Sequence, residues 1–186
     1  RKGVFIMIYV FLANGFEEVE ALTPVDFLRR CDLDVRTVGV SGPVAMGSHK
    51  IPVGCDLTVE ELDLEGCDGV ILPGGMPGTL NLEACEEVKI AVLWCAEHGK
   101  WIGAICAAPS VLGHLGLLKG KKATCFPGFE EELTGAEVLT DAVVRDGNII
   151  TSRGAGTAGQ FAFALIEAFC SPEQAAKTKA GVQWRG

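Results

Sequence analysis

The regular alternation of strand-like and helix-like segments constrains the fold of this chain more than any other feature. Strands are predicted over 4–12, 33–40, 68–72, 101–105 and 122–125. Helical periodicity is found over 17–30, 83–98, 107–115 and 158–169, and Ser171-Pro172-Glu173 is typical of the start of a terminal helix. Such alternation predicts an α/β fold in which a mostly parallel sheet carries helices on both faces.

Two stretches depart from this alternation, and one helix allows a prediction about its buried face. Residues 44–57 predict shorter strands broken by glycine and proline, and 143–152 predicts a β-hairpin turning at Asp146-Gly147-Asn148. In the first helix, three apolar side chains are expected to face the core: Val19, Leu22 and Phe27.

Composition limits the number of domains and the kinds of partner. The chain has 186 residues, 48% of them hydrophobic and 22% charged, which argues against disorder. We find no internal repeat or linker, so a single domain over 1–186 is expected. The formal net charge is −8, from 16 basic and 24 acidic residues. An acidic surface repels phosphate backbones and anionic lipid, so neither nucleic acid nor a membrane is an expected partner.

The cysteines and the apolar segment over 4–12 indicate the cellular compartment in which the protein is expected. Eight cysteines are present, and none forms a C-x-x-C pair that would start a zinc or redox motif. A disulfide framework is the alternative, but a chain of this size forms a core without such cross-links. The run 4–12 follows two basic residues like a signal peptide, yet it is too short to span a bilayer, which takes about 20 residues. We therefore expect free thiols and a cytoplasmic protein.

In parallel sheets, ligands bind beyond the carboxyl ends of the strands. The loops to inspect are therefore 13–18, 73–80, 106–109 and 125–128. Cys106 stands where a predicted strand ends and a helix begins, flanked at two residues' distance by the small residues Ala104 and Ala108. This is the pattern of a nucleophile elbow, and the start of a helix favours a thiolate. The alternative is that Cys106 is a small buried apolar residue.

Two further loops carry candidate groups. Gly74 and Gly75 follow a predicted strand, where bare N–H groups could form an oxyanion hole or simply a tight turn. Glu17 and Glu18 suit an exposed first helical turn. Glu20 could be a surface residue, which its spacing favours, or a buried carboxyl with a raised pKa beside the thiol.

The histidines offer no base for the cysteine. His114 is roughly 12 Å along a helix from Cys106 at ~1.5 Å per residue. His49 and His98 have no local relation to Cys106 either, so all three are interpreted as surface or packing residues. No metal cluster is evident.

Four ordered motifs resemble the ThiJ/PfpI superfamily, within its Parkinsonism-associated-deglycase-like branch. They are NGFEEVEALTPVDFLRR, DGVILPGGMPGTLNL, GAICAAPSVLG and TSRGAGTAGQFAFALIEA. The resemblance implies a flavodoxin-like three-layer sandwich, a homodimer, a reactive Cys106 on a strained elbow and a protonated Glu20 bonded to its sulfur. It also implies that Gly75 and Ala107 donate backbone N–H groups to a site lined by Gly74 and Phe126, without cofactor or metal.

Two departures from the superfamily narrow the function. Some relatives have histidine before a proline where this chain has Phe126-Pro127, and the protease-like branch has histidine where this chain has Ala107. A peptidase is therefore not expected. The resemblance implies a glyoxalase- or deglycase-type enzyme acting on reactive dicarbonyls or their adducts, through a Cys106 hemithioacetal with Glu20 as acid and base. The alternatives are an oxidative-stress sensor or holdase chaperone that signals through Cys106 oxidation, and a family member that binds a ligand without chemistry.

Overall fold

The computed structural model describes residues 6–186, so the first two residues of the strand predicted over 4–12 lie outside the described residues. Seven strands form the central sheet in the order β10-β11-β7-β6-β1-β2-β5, and two small sheets pair β3 with β4 and β8 with β9. The strands are β1 (Met7–Leu12), β2 (Asp34–Gly39), β3 (Val44–Met46), β4 (Pro52–Gly54), β5 (Leu57–Thr58), β6 (Cys67–Leu72), β7 (Trp101–Ile105), β8 (Lys122–Ala123), β9 (Glu137–Val138), β10 (Val143–Asp146) and β11 (Ile149–Ser152).

Every neighbouring pair in the central sheet is parallel except β10 and β11, which form the predicted hairpin. Alternate side chains of β1 enter opposite layers of the core. Tyr9 and Phe11 pack on one face of the sheet, and Ile8, Val10 and Leu12 pack on the other. The sequence-based prediction of a mostly parallel sheet with two apolar faces is confirmed.

Six helices cover the two faces: α1 (Glu18–Arg29), α2 (Gly78–Ala84), α3 (Glu86–Glu97), α4 (Pro109–His114), α5 (Ala158–Phe169) and α6 (Pro172–Gly181). Helix α5 packs against both α1 and α6, whereas α3 covers β6 and β7. The helix predicted over 83–98 is present as α3 but begins later, at Glu86. Cys85 takes an extended conformation that separates it from α2, and the Cys85 carbonyl accepts the N–H of Lys89.

Two other sequence-based expectations need correction. Val19 does not face the core, since 48% of it is exposed on the outer side of α1. The strand predicted over 122–125 is shorter and pairs with β9, which the sequence pattern did not indicate. The free thiols are confirmed, because all eight cysteines are unpaired. Within residues 6–186, no helix is long and apolar enough to cross a bilayer.

The four loops singled out from the sequence meet at the carboxyl edge of the sheet. The N–H of Glu17 donates to the carbonyl of Gly74 at 2.9 Å, which joins the loop after β1 to the loop after β6. The N–H of Phe126 donates to the carbonyl of Cys106 at 2.8 Å, which joins the loops after β7 and β8. The parallel order of β1, β6 and β7 therefore brings three loops with chemical groups together.

Candidate active site

Cys106 lies directly after β7 in a backbone conformation that few side chains adopt. Its φ is +66°, in the left-handed region, which costs an L-residue about 1–2 kcal/mol. Two hydrogen bonds hold it there: its N–H donates to Ser152 at 2.9 Å and its carbonyl accepts from Phe126. The strained elbow expected for Cys106 is therefore present in the backbone.

The helix expected from Ala107 begins later and is short. Helix α4 starts at Pro109 and has 6 residues, because Ala107 and Ala108 form a turn in which the Ala108 N–H donates to Ile105. The positive polarity beside the thiol comes from individual N–H groups of the surrounding turns. Those of Gly75 and Ala107 lower the pKa of the Cys106 thiol, against the effect of burial.

Glu20 is buried beside this thiol, with 1% of its surface exposed. Its carboxyl accepts the N–H of Gly74 at 2.9 Å, and Oε2 of Glu20 and Cβ of Cys106 both lie next to the position that a Cβ on Gly74 would occupy. The surface position that spacing favoured is wrong, and the position implied by the resemblance agrees with the structure. The cause is the start of α1: the Glu17 carboxylate accepts the Glu20 N–H at 2.8 Å and so fixes the rotation of the first turn.

The two glycines after β6, Gly74 and Gly75, allow the Glu20 carboxyl to lie close to Cys106. A Cβ at Gly74 would lie 2.5 Å from Oε2 of Glu20 and 2.6 Å from Cβ of Cys106. Gly75 has φ +90°, and a Cβ there would lie 2.5 Å from the backbone nitrogen of Glu17. Side chains at either position would separate the acid from the thiol, so both glycines are required by the packing of the site.

Burial raises the pKa of the Glu20 carboxyl to about 7, while the hydrogen bond to Cys106 opposes the rise. Burial also raises the pKa of the Cys106 thiol to about 12, and the charge of ionised Glu20 adds to the rise. The N–H groups of Gly75 and Ala107 act in the opposite direction. The expected low thiol pKa is therefore contradicted while Glu20 is ionised. Two groups so close titrate as a pair, which loses one proton near pH 7 and the second only near pH 12.

Phe126 lies at the mouth of the site, with 47% of it exposed. Its ring packs over Gly154, where an added Cβ would lie 3.3 Å from ring atom Cδ2 and 3.9 Å from Oε1 of Glu20. Sequence reasoning missed the contributions of Ser152, Gly154 and Ala155 to the site. The signal was present, since TSRGAG follows a predicted strand and so lies at the same edge of the sheet.

The three histidines lie away from the thiol. His49 bonds Glu18 through its backbone N–H at 2.7 Å and through Nδ1 at 2.9 Å, so Glu18 is buried rather than exposed as expected. His98 stacks on Trp94, and His114 lies between two carboxylates. These contacts agree with the interpretation as packing and surface residues.

Glu17, Glu18 and His49 bring one ligand atom each within 4.8 Å of one another. Such a set has the residue types of a metal site, but its oxygens already have partners. Glu17 caps α1 through its bond to the Glu20 N–H, and Glu18 accepts two hydrogen bonds from His49. The cluster is accounted for as a hydrogen-bonded support of the first helix.

Comparison with known proteins identifies the family. The DJ-1/PfpI family model matches residues 7–168. The chain belongs to the DJ-1/PfpI family. Protein DJ-1 homolog B of Arabidopsis thaliana is 37% identical over 90% of this chain, and the chain spans 39% of that protein's length.

Two further relatives bear on activity and fold. A deglycase of Pyrococcus horikoshii is 34% identical over 76% of this chain and 86% of its own. The structure of oxidized DJ-1 from Toxoplasma gondii superposes with a TM-score of 0.93 at 31% identity, covering 97% of this chain and all of the other. The flavodoxin-like fold expected from the sequence is thereby confirmed, and relatives named as deglycases support enzyme activity within the family.

Proposed function

We propose that this domain is a cofactor-independent cysteine enzyme that converts reactive dicarbonyls, free or as early adducts, into 2-hydroxy acids. The observation that carries the proposal is the buried Glu20 carboxyl beside Cys106, both bordering Gly74, in a site where the N–H groups of Gly75 and Ala107 lower the pKa of the thiol. A nucleophile, an acid and base, and oxyanion donors are the groups that such a reaction needs.

In the first step, the Cys106 sulfur attacks the aldehyde carbon of a 2-oxoaldehyde. A C–S bond forms, the carbonyl π bond opens onto oxygen, and protonation of that oxygen gives a hemithioacetal. The N–H groups of Gly75 and Ala107 are the proposed partners of the developing oxyanion, since both already stabilise negative charge at the sulfur by lowering its pKa.

In the second step, Glu20 removes the proton from the carbon bonded to sulfur and returns a proton to the neighbouring carbon. The hemithioacetal thereby becomes a thioester of a 2-hydroxy acid, and the oxidation of one carbon balances the reduction of the other. Water then cleaves the thioester to release the acid and the thiol. Methylglyoxal plus water gives lactic acid, so the reaction needs no external oxidant or reductant.

The two pKa values set what the reaction requires of this pair, because the higher value belongs to the thiol and the shared proton therefore rests mainly on sulfur. Between about pH 7 and about pH 12, Glu20 and Cys106 together hold one proton. The reactive arrangement has that proton on Glu20 and the charge on sulfur, where the two N–H groups stabilise it. Loss of the thiol proton to Glu20 then prepares the nucleophile and the acid together.

A sensor or holdase that signals through Cys106 oxidation is the second candidate, since Cys106 is unpaired and only half-buried and is therefore also open to peroxide. One experiment separates the two: turnover of methylglyoxal to lactate by the purified protein, measured by chiral chromatography of the product. We expect turnover in the native protein, none in Cys106→Ser, and native rates in Cys55→Ser as the matched control. Absence of turnover in the native protein would refute the enzyme proposal.

We also propose that the protein acts as a homodimer with small dicarbonyls or glycated adducts as its other partners. Exposed apolar side chains on α1 and on the β3–β4 pair support a second copy as the partner of this surface: Val19, Val44, Met46 and Ile51, between 43% and 54% exposed. Pairing equal surfaces about a two-fold axis would bury them.

A further inference from the structure

Phe126 is a large apolar side chain that is partly exposed to water, which is unfavourable in free energy. Nearly half of it is in contact with solvent, although it belongs to a loop tightly bonded to the elbow. The Phe126 N–H donates to the Cys106 carbonyl at 2.8 Å, which fixes the backbone of Phe126 beside the elbow. A turn in which the Phe129 N–H donates to the Phe126 carbonyl at 3.1 Å holds the loop from its other side.

The direction of the ring follows from its contact with Gly154. A Cβ on Gly154 would come within 3.3 Å of Cδ2 and 3.7 Å of Cε2 of Phe126, and within 3.9 Å of Oε1 of Glu20. The ring and the carboxyl therefore border the same small residue from two sides. Phe126 is thus the aromatic side chain next to the catalytic carboxyl of the proposed mechanism.

A second large apolar side chain is exposed in the loop after β6. Met76 directly follows the N–H donor Gly75 and is 46% exposed. A separate cleft of about 220 Å³ lies between the loops after β6 and β8, lined by Met76, Leu80, Ser110 and Phe129 together with charged side chains that include Glu83 and Glu132. Neither Cys106 nor Phe126 lines this cleft, so Phe126 is the apolar side chain placed next to the reacting groups.

We propose that Phe126 is a specificity-determining residue that binds the apolar substituent of the dicarbonyl substrate, so that aryl- and alkyl-substituted 2-oxoaldehydes are preferred to glyoxal. The inference rests on the proposed function, because it names the substrate class of the same thiol. A substituent that removes apolar area of the ring from water gains free energy in the bound state. One methylene in an apolar pocket changes specificity about 10-fold or more.

The test compares kcat/KM for phenylglyoxal and for glyoxal in the native protein and in three variants. The ratio of the two values cancels the intrinsic reactivity of the substrates when it is compared between proteins. We expect the ratio to fall roughly tenfold in Phe126→Ala and Phe126→His, and to return towards the native value in Phe126→Leu. Ile90→Ala, which shortens an apolar side chain on α3 that is 55% exposed, should leave the ratio unchanged.

A second measurement does not depend on turnover. Alkylation of Cys106 by N-phenylmaleimide and by N-methylmaleimide, followed by peptide mass spectrometry, reports the same apolar preference. The alkylation ratio could fall in Phe126→Ala and Phe126→His while the native protein turns over no dicarbonyl. In that case the proposed function is wrong, but Phe126 still binds the apolar substituent of a reagent at Cys106. If both ratios are unchanged in these variants, Phe126 does not bind the substituent and the inference is overturned.

Discussion

Replacing Glu20 by glutamine should change the pH dependence of Cys106 reactivity in a way that only a shared proton explains. The amide oxygen can still accept the Gly74 N–H, which Glu20 now accepts at 2.9 Å, and the amide nitrogen can donate to the sulfur. The variant therefore keeps the hydrogen bonds and loses the titrating proton. Turnover of methylglyoxal should be abolished, because no group remains to move the proton between carbons.

The expected magnitude follows from the two pKa values. Native Glu20 has a pKa of about 7 and Cys106 of about 12 once Glu20 is ionised. Between these values the pair holds one proton, so the population with the charge on sulfur does not change with pH. In Glu20→Gln the thiolate fraction continues to rise tenfold per pH unit until the thiol is fully ionised. At pH 9 the variant should therefore be alkylated up to about 100-fold faster than the native protein.

The assay is the rate of iodoacetamide labelling of Cys106 between pH 5 and pH 9, followed by peptide mass spectrometry. The native rate should rise towards pH 7 and then level off, whereas the rate in Glu20→Gln should keep rising. Glu167→Gln, which changes an exposed acid on α5, serves as the control and should behave as the native protein. A plateau above pH 7 in Glu20→Gln would refute the shared proton.

Three other predictions test the site and its surroundings. Gly74→Ala should lower turnover more than 100-fold, since its methyl would lie 2.5 Å from a carboxylate oxygen of Glu20, whereas Gly54→Ala, with open space around it, should not. His114, whose pKa is raised above 6.5 by hydrogen bonds to two carboxylates, should titrate above 6.5 by NMR. Its contribution to folding should be complete below pH 6.5 and lost as the pH rises through that higher value. Light scattering should give twice the mass of one chain, and Val19→Asp should give the mass of one.

The overall architecture could be predicted from the sequence because it depends on patterns that repeat. Strand and helix periodicities alternate, and the rule that ligands bind at carboxyl ends of parallel strands located the loops that contain Gly74 and Cys106 and the loop that leads into the helix of Glu20. The break at Cys85 was not predictable in this way. A helical period continues through it, and only the backbone conformation of one residue separates α2 from α3.

The orientation of the first helix was the main point that periodicity could not supply. Val19 and Glu20 are neighbours in an apolar-acidic pattern that fits either rotation of α1. The choice is made by long-range contacts: the Glu17 N–H on Gly74, and Glu18 on His49, 31 residues further along the chain. These contacts place the Glu20 carboxyl inside and the Val19 side chain outside. A prediction from apolar residues alone places Val19 inside and therefore gives α1 the wrong rotation.

The observed rotation of α1 buries the Glu20 carboxyl, which is unfavourable for folding at neutral pH. This cost argues that Glu20 has a chemical role. A carboxyl whose pKa rises from 4.5 to about 7 on folding favours the folded state when protonated. Its stabilising effect is therefore complete below pH 4.5 and lost as the pH rises through about 7, at a cost of about 3 kcal/mol above that pH. This is a large part of the 5–15 kcal/mol by which domains are typically stable. If the reasoning is right, denaturant unfolding of Glu20→Gln should match the native protein at pH 4 and exceed its stability by up to about 3 kcal/mol at pH 8. Equal stability at both pH values would mean that Glu20 is not held in an environment that raises its pKa, and the case for it as the proton carrier would fall with that result.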